Sequence, residues 1–371
     1  MGGVVGAAFV GALKLLERGL WPTHWSPGGH LLILVGVGVA VGAITHLLGT
    51  PGDVELLVNN IHVLGGAEDL HDLRSLIPVS LLCISSGGAM GPEAPLVQTT
   101  GALGSWVARR MGLTTVDTRI LTITGMAAGF TVLFGAPLGS AVFALEILHR
   151  RGLEYYEALI PAVIGSLSGY VVNVVISHLG VTPVWPFPPL GTVHQLGPGF
   201  RPLIGGLALG GLAFWSPYAL TFGEAQINQL VVAKASAGRF AVAALAKLCG
   251  TTVTLSSGWR GGFIIPLFFI GVALGRCGHA LFPGTNEVVL MAALMAGANC
   301  GVTKTPLGSA LVVAEMAGLR LIPPVLIASV VALFLTSEVG IIHSQRTREG
   351  AIGPAVDDTD GGTPPETSSG D

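Results

Sequence analysis

Long apolar runs with few polar interruptions dominate the pattern of this chain. Clear examples are residues 30–48, 203–215 and 321–335. A helix needs about 20 apolar residues to cross the hydrocarbon core of a bilayer, and several of these runs are shorter than that. The pattern therefore predicts an all-α polytopic membrane protein in which some helices cross the bilayer only in part.

The composition supports a membrane location. Of the 371 residues, 51% are hydrophobic and only 11% are charged, whereas a soluble domain carries about 25% charged residues. The net charge is −3, and no basic block indicates a nucleic-acid partner. The four cysteines lie in apolar context without metal-ligand spacing, so neither a metal nor another cofactor is expected. We expect a multi-pass protein of a cell membrane, the inner or plasma membrane of a prokaryote.

The chain contains an internal repeat. The segment APLGSAVFALEI (136–147) matches TPLGSALVVAEM (305–316), and GPEAPLVQTTGALG (91–104) aligns without a gap to GFIIPLFFIGVALG (262–275). Glu146 and Glu315 occupy matching positions in the first pair, which favours a structural role for both at helix ends. Internal duplication is typical of transporters and channels, whose substrate often lies at the repeat interface.

These matches divide the chain into four parts. We predict a first membrane repeat at 1–180, a linker at 181–202 and a second membrane repeat at 203–347. Residues 348–371 are acidic and rich in Gly, Pro, Ser and Thr. Such a composition cannot bury enough apolar surface to fold, so a disordered tail is predicted there.

Both repeats place a glycine-rich turn and a proline before an apolar helix. The turns contain Gly91 and Gly262, and the prolines are Pro95 and Pro266. Proline suits the first turn of a helix, and the free N–H groups and dipole of a helix N-terminus attract anions. Two such ends inside a membrane would form an anion site from backbone groups alone.

Glu93 is an acidic residue within a largely apolar segment of the chain. It lies between Pro92 and Pro95, and the nearest following basic residue is Arg109. An unpaired acid within a membrane segment is costly and indicates a functional site. The aligned residue of the second repeat is Ile264, so the shared architecture does not require an acid. The structural alternative is a carboxylate that caps a helix or pairs with a buried base.

The motifs resemble those of the CLC family of chloride channels and proton-coupled anion exchangers. That family has three motifs at helix N-termini, G-S-G-I-P, G-K/R-E-G-P and G-x-F-x-P, whose counterparts here are residues 49–53, 91–95 and 262–266. The resemblance covers about residues 3–347. It implies two inverted repeats of tilted, partly non-spanning helices and a homodimer with one pore in each subunit.

The resemblance also implies roles for individual residues. Glu93 would be the gate, its carboxylate competing with the anion for the pore. The anion would be bound by the Thr50 hydroxyl and by the amides of Phe263 and Ile264. The pore would be lined by Gly49, Gly91, Gly262 and Ile342.

Three departures from the family pattern affect the expected function. Thr50 replaces a serine, Ile342 (or His343, with a shift of one) replaces the central tyrosine, and Ile147 replaces the second acid of proton-coupled members. The absent acid favours passive conduction of chloride or similar monovalent anions.

Two other functions stay open, and a third is not expected. The first is a proton-coupled or fluoride-selective exchanger of the same superfamily, and the second is a membrane scaffold that transports nothing. The third, an enzyme, is not expected, because the Ser-Ser-Gly segments that could supply a nucleophile occur in both repeats.

Overall fold

The computed structural model describes residues 1–20, 26–67, 70–71, 73–149, 155–178, 200–337, 342 and 345. Within these residues the fold is α-helical, and an isolated antiparallel β-bridge joins Gly91 to Gly262. The helices of the first half are α1 (Gly2–Leu20), α2 (Pro27–Leu48), α3 (Val54–Val63), α4 (Leu73–Ser85), α5 (Glu93–Arg110), α6 (Thr115–Phe134), α7 (Pro137–Glu146) and α8 (Leu159–His178). Those of the second half are α9 (Arg201–Trp215), α10 (Glu224–Val232), α11 (Ala237–Ser256), α12 (Ile264–Leu281), α13 (Glu287–Thr303), α14 (Pro306–Ala317) and α15 (Ile322–Leu335).

The order of the helices confirms the predicted repeat. Helices α4 to α8 recur as α11 to α15, and a short 3-10 turn precedes the last helix of each set, at Tyr156–Ala158 and Leu319–Leu321. The packing recurs too, because α5 packs on α6 as α12 packs on α13, and α7 packs on α8 as α14 packs on α15. The predicted tail and most of the predicted linker lie outside the described residues.

Glycines let paired helices of each repeat approach closely. A Cβ atom at Gly104 of α5 would overlap the carbonyl of Leu121 on α6, and a Cβ at Gly271 of α12 would overlap the backbone of Met295 on α13. Small residues at such contacts are the usual means of packing helices in a membrane, where no hydrophobic effect drives them together. Much of the glycine in this sequence therefore serves helix packing.

The helix lengths agree with partial crossing of a bilayer. Within the described residues, α2, α6 and α12 are long and apolar enough to span, while α4, α13, α14 and α15 are apolar but shorter. Helix α8 also exposes Ile160, Ile164 and Leu167. An outward apolar face of this kind suits lipid or a second subunit.

Two glutamates tie the repeats together at α7 and α14. Glu146, the last residue of α7, accepts hydrogen bonds from the N–H groups of Leu307 (3.3 Å) and Gly308 (2.6 Å) in the first turn of α14. Glu315 of α14 accepts from Leu138 (3.3 Å) and Gly139 (2.9 Å) in the first turn of α7. Each helix end thus contacts the start of the other, so the two helices run antiparallel, as inverted repeats require.

Candidate site at two opposed helix N-termini

The glycine-rich turns of the two repeats meet at one point. The N–H of Gly91 donates to the carbonyl of Gly262 (3.3 Å), and the N–H of Gly262 donates to the carbonyl of Gly91 (2.5 Å). This β-bridge holds the first residue of α5, Glu93, beside the first residue of α12, Ile264. The free amides of two helix starts are therefore brought together, as the sequence pattern predicts.

Glu93 bridges these two helix starts. Glu93 is only 2% exposed. Its Oε1 atom accepts a hydrogen bond from the backbone N–H of Ile264 at 2.7 Å. Its Oε2 atom is buried without a hydrogen-bond partner. The partner of this acid is therefore the N-terminus of α12, whose dipole favours negative charge. Half of the carboxylate is left unsatisfied, which is costly for a buried charged group.

Gly262 makes room for the carboxylate. A Cβ atom at this position would overlap the Glu93 carboxylate carbon and both of its oxygens. Any other residue at position 262 would push the Glu93 side chain away from the first amide of α12. Gly262, in the second repeat, is thus required for the observed position of Glu93, in the first repeat.

A small cavity lies against the Glu93 carboxylate. Its volume is about 20 Å³, enough for one water-sized occupant. Among the described residues, Glu93 is the one ionisable group in its lining, and Gly262, Phe263 and Ile264 line it too. The described residues that line it are Val54, Leu57, Glu93, Ala94, Val97, Met126, Phe130, Ile147, Gly262, Phe263 and Ile264. The cavity therefore joins the carboxylate to the helix start that the resemblance assigns to an anion.

Thr50 and Gly49 do not contribute to this cavity. Both are exposed, in the turn between α2 and α3. That turn is fixed by Asp53, which accepts from the N–H of Leu56 (2.9 Å) to cap α3 and pairs with Arg260 (3.4 Å). The structure thus shows a capped helix start here, and Thr50 is exposed and is not a lining residue of the cavity.

Ile342 is buried but does not line the cavity either, and His343 lies outside the described residues. The nearby Gln345 donates from Nε2 to the carbonyls of Ile147 (2.8 Å) and Thr303 (2.9 Å). A neutral amide therefore joins the two repeats next to the cavity wall at Ile147.

Comparison with known proteins identifies the family. The sequence profile described as "voltage gated chloride channel" matches residues 64–196 and 189–337, more than half of the chain. The chain belongs to the voltage-gated chloride channel (CLC) family. Members of this family are channels and transporters of the membrane, so the chain is a CLC-type anion transport protein.

Individual relatives agree with that assignment. A "chloride/fluoride channel protein" of Pseudomonas syringae pv. tomato is 28% identical over 367 residues, covering 85% of this chain and 78% of the relative. The "voltage-gated ClC-type chloride channel ClcB" of Shigella flexneri is 28% identical over 294 residues, covering 68% of this chain and 70% of the relative. The crystal structure of a CLC-type fluoride/proton antiporter superposes with a TM-score of 0.77 at 22% identity, covering 93% and 95% of the two chains. This last likeness shows that the CLC fold is shared.

Several residues around this CLC site could not be found by motif. Met126 and Phe130 of α6 line the cavity, but in the sequence they look like ordinary core residues. Lys247 is fully buried, and a lone base within the apolar run of α11 was a signal available in the sequence. Gln345 gives no such signal, because its position depends on tertiary packing.

Proposed function

We propose that this CLC protein conducts chloride or similar monovalent anions passively across a membrane, and that Glu93 is its gate. The proposal rests chiefly on one observation, the buried Glu93 carboxylate that accepts from the N–H of Ile264 and keeps one oxygen without a partner. The protein would be a multi-pass homodimer of a prokaryotic inner or plasma membrane, each subunit with its own pore.

The gate would act by competition for the same backbone amides. An anion that reaches the start of α12 needs the N–H groups of Phe263 and Ile264, and the Glu93 carboxylate occupies the second of these. Two negative charges at one helix start repel each other strongly in a medium of low dielectric constant. Proton uptake by Glu93 removes one charge, so acid should release the gate and admit the anion.

Passive conduction is favoured over coupling by the wall of the cavity. Ile147 lines it, at the position where the resemblance expects the second acid of a proton-coupled member. Within the described residues, Glu93 is therefore the single carboxyl group at the cavity. One titrating group can open and close a path, but a relay to the other side of the membrane needs further proton acceptors.

The test is flux into liposomes with pH recorded at the same time. Purified protein should pass chloride down its gradient, and Glu93→Gln should pass more at neutral pH. No proton movement should accompany the chloride in a fixed ratio. Absence of any anion flux in both proteins would favour a scaffold that transports nothing.

Fluoride/proton exchange is the second candidate. Two observations favour it, namely the small cavity beside Glu93 and the names of two similar proteins, a chloride/fluoride channel protein and a fluoride/proton antiporter. Fluoride is closer to water in size than chloride is. In the same liposomes, fluoride flux far above chloride flux, with protons moving the other way in a fixed ratio, would replace the first proposal by this one.

A further inference from the structure

A wide cavity, here called the vestibule, lies beside the loop that leads to Glu93. Its volume is about 1070 Å³, and its wall includes Ser85 and Gly87 from the chain just before Glu93 and Thr221 from the segment between α9 and α10. The N–H of Thr221 donates to the carbonyl of Gly87 at 2.8 Å. The vestibule is therefore joined by a hydrogen bond to the loop that carries the proposed gate.

The charged side chains that line the vestibule balance one another. Two are basic and two are acidic, and one histidine accompanies them; they are Lys14, Arg18, Glu17, Glu224 and His30. With the histidine neutral, these charges sum to zero. With both glutamates ionised, the lining itself therefore offers an anion no excess of positive charge.

Lys247 of α11 supplies such a charge. It is fully buried, and its Nζ atom donates to the carbonyls of Leu220 (2.7 Å) and Thr221 (2.9 Å) and to Oε1 of Gln226 (2.7 Å). These three partners all line the vestibule. Three oxygen acceptors need three donated protons, so the geometry is that of an ammonium ion. The cation lies directly behind the vestibule wall.

No acid neutralises this cation among its partners in the described chain. Its hydrogen bonds go to three neutral oxygens, and its Nζ atom also lies over the ring of Phe269, 4.7 Å from the ring centre. Phe269 belongs to α12, the helix whose first amide binds Glu93. A charge in a low-dielectric surrounding acts over a long distance, and a cleft concentrates its field.

The backbone at Thr221 also differs from an ordinary loop. Its φ angle is +60°, and a β-branched residue in the left-handed region is a genuine outlier. Strain of this kind persists only where the surroundings hold it in place, here the Lys247 ammonium on its carbonyl and the Gly87 carbonyl on its N–H. A purely structural role for Lys247, holding this loop, is therefore the rival that an experiment must separate.

We propose that the vestibule is a second binding site for a small monovalent anion, that Lys247 provides its fixed positive charge, and that Glu224 opposes it. This proposal rests on the proposed anion transport, and it adds a binding step in the vestibule before the anion reaches Glu93. Anions would be concentrated in the vestibule before they compete for the start of α12. The ligand is the transported anion itself.

Glu224 makes the site sensitive to pH. It begins the nine-residue α10, which is too short to span a bilayer. Burial raises the pKa of Glu224 to about 7, with Lys14 lowering it and Glu17 raising it. Above that pH the negative charge of Glu224 counteracts the attraction of the Lys247 ammonium for an anion. Below that pH Glu224 is protonated and no longer counteracts it. Glu17 and His30 face the same space and change its charge in the same direction on acidification.

The test is a series of nearly isosteric charge changes around Lys247. Glu224→Gln removes a negative charge, and Gln226→Glu adds one while keeping an acceptor for Nζ. The half-saturating anion concentration for flux into liposomes is measured for each variant. We expect roughly a threefold decrease for Glu224→Gln and roughly a threefold increase for Gln226→Glu, the size of a unit charge acting across a solvated cleft.

Removal of the cation gives the largest expected change. Lys247→Met should raise the half-saturating concentration roughly fivefold or more, whereas Lys234→Met, an exposed lysine outside the vestibule, should leave it unchanged. Lys247→Met leaves buried oxygens without a donor, so if its yield is low, the two isosteric variants carry the test. The effect of Glu224→Gln should be present at about pH 8.5 and vanish at about pH 5.5, where a group of pKa near 7 is already protonated.

Opposite shifts in the two isosteric variants support the site, because a lysine that only holds the loop predicts no such sign reversal. Equal shifts in one direction, or none, would overturn it while leaving anion transport intact. Equilibrium titration of the purified variants with chloride should give the same order of affinities. That titration tests anion binding in the vestibule even if the wild type passes no anion. A wild type without anion flux would overturn only the proposed function.

Discussion

Glu93 and Glu146 are both buried acids at the first turn of a helix from the other repeat, yet they differ in how well they are satisfied. Glu146 accepts one hydrogen bond on each oxygen, from Leu307 and Gly308. Glu93 accepts a hydrogen bond on one oxygen only, from the backbone N–H of Ile264, and its other oxygen is unpartnered beside a cavity. Glu146 has a symmetric equivalent in Glu315, whereas the residue equivalent to Glu93 is Ile264.

The difference separates a structural acid from a functional one. A carboxylate with both oxygens bonded, and repeated by the internal symmetry, is what a stable helix junction needs. A carboxylate that is half satisfied, present in one repeat only and next to a cavity is poised to exchange its partner. Buried polar groups without partners call for an explanation, and a group that must leave its partner during function provides one.

The largest effect is expected on stability, at Glu146. Hydrogen bonds to charged groups contribute about 1.5–3 kcal/mol each, so Glu146→Gln, which turns one acceptor oxygen into a donor, should lower the free energy of unfolding by about 3 kcal/mol. Thermal unfolding in detergent would show this as a lower midpoint. Flux per folded protein should stay at the wild-type level, and a large rise in flux would remove the distinction between the two acids.

Glu93→Gln should give the reverse pattern. Loss of one hydrogen bond to a charged acceptor should lower the barrier for the anion enough to raise flux at neutral pH by about tenfold. The midpoint of unfolding should change little, because one oxygen of the native carboxylate is already unsatisfied. Parallel flux and unfolding measurements on both variants give the comparison its sharpest form.

Gly262→Ala should open the gate without changing the acid. The added methyl group overlaps the carboxylate, so Glu93 must leave the amide of Ile264, and flux at neutral pH should rise several-fold, somewhat less than for Glu93→Gln. Gly211→Ala is the matched control, since a Cβ at that helical glycine meets nothing within 4 Å. Equal flux in the two alanine variants would contradict the role assigned to Gly262.

The smallest effect is expected at Glu315. It makes the same type of contact as Glu146, but its hydrogen bonds to Leu138 and Gly139 are at an exposed and a part-buried position. Because solvent replaces part of what is lost, Glu315→Gln should lower the free energy of unfolding by about 1 kcal/mol. An unfolding loss larger than that of Glu146→Gln would show that burial does not set the difference.

Much of the fold could be predicted because its causes are local or repeated. The apolar runs predict membrane helices, and the two matched Pro-Leu-Gly-Ser segments predict the equivalence of α7 and α14. The two glycine-rich turns, each followed by a proline, predict which two helix starts form the site. The sequence could not show that Glu146 accepts hydrogen bonds from the first turn of α14 and Glu315 from the first turn of α7. These contacts depend on the antiparallel packing of the two helices.

The site was predictable only where residues follow a motif. Glu93, Gly91, Gly262, Phe263 and Ile264 lie together as their motifs indicate. Thr50 and Ile342 were assigned by the resemblance alone, and neither lines the cavity in this structure. The motif of the first loop is loose at this point, and its Asp53 instead caps α3.

The central claim is that the Glu93 carboxylate and the transported anion compete for the amide of Ile264. Anion titration of purified wild-type protein and of Glu93→Gln at neutral pH tests it directly. We predict that Glu93→Gln binds the anion about tenfold more tightly, since the competing charge is gone. Equal affinity in the two proteins would contradict the claim.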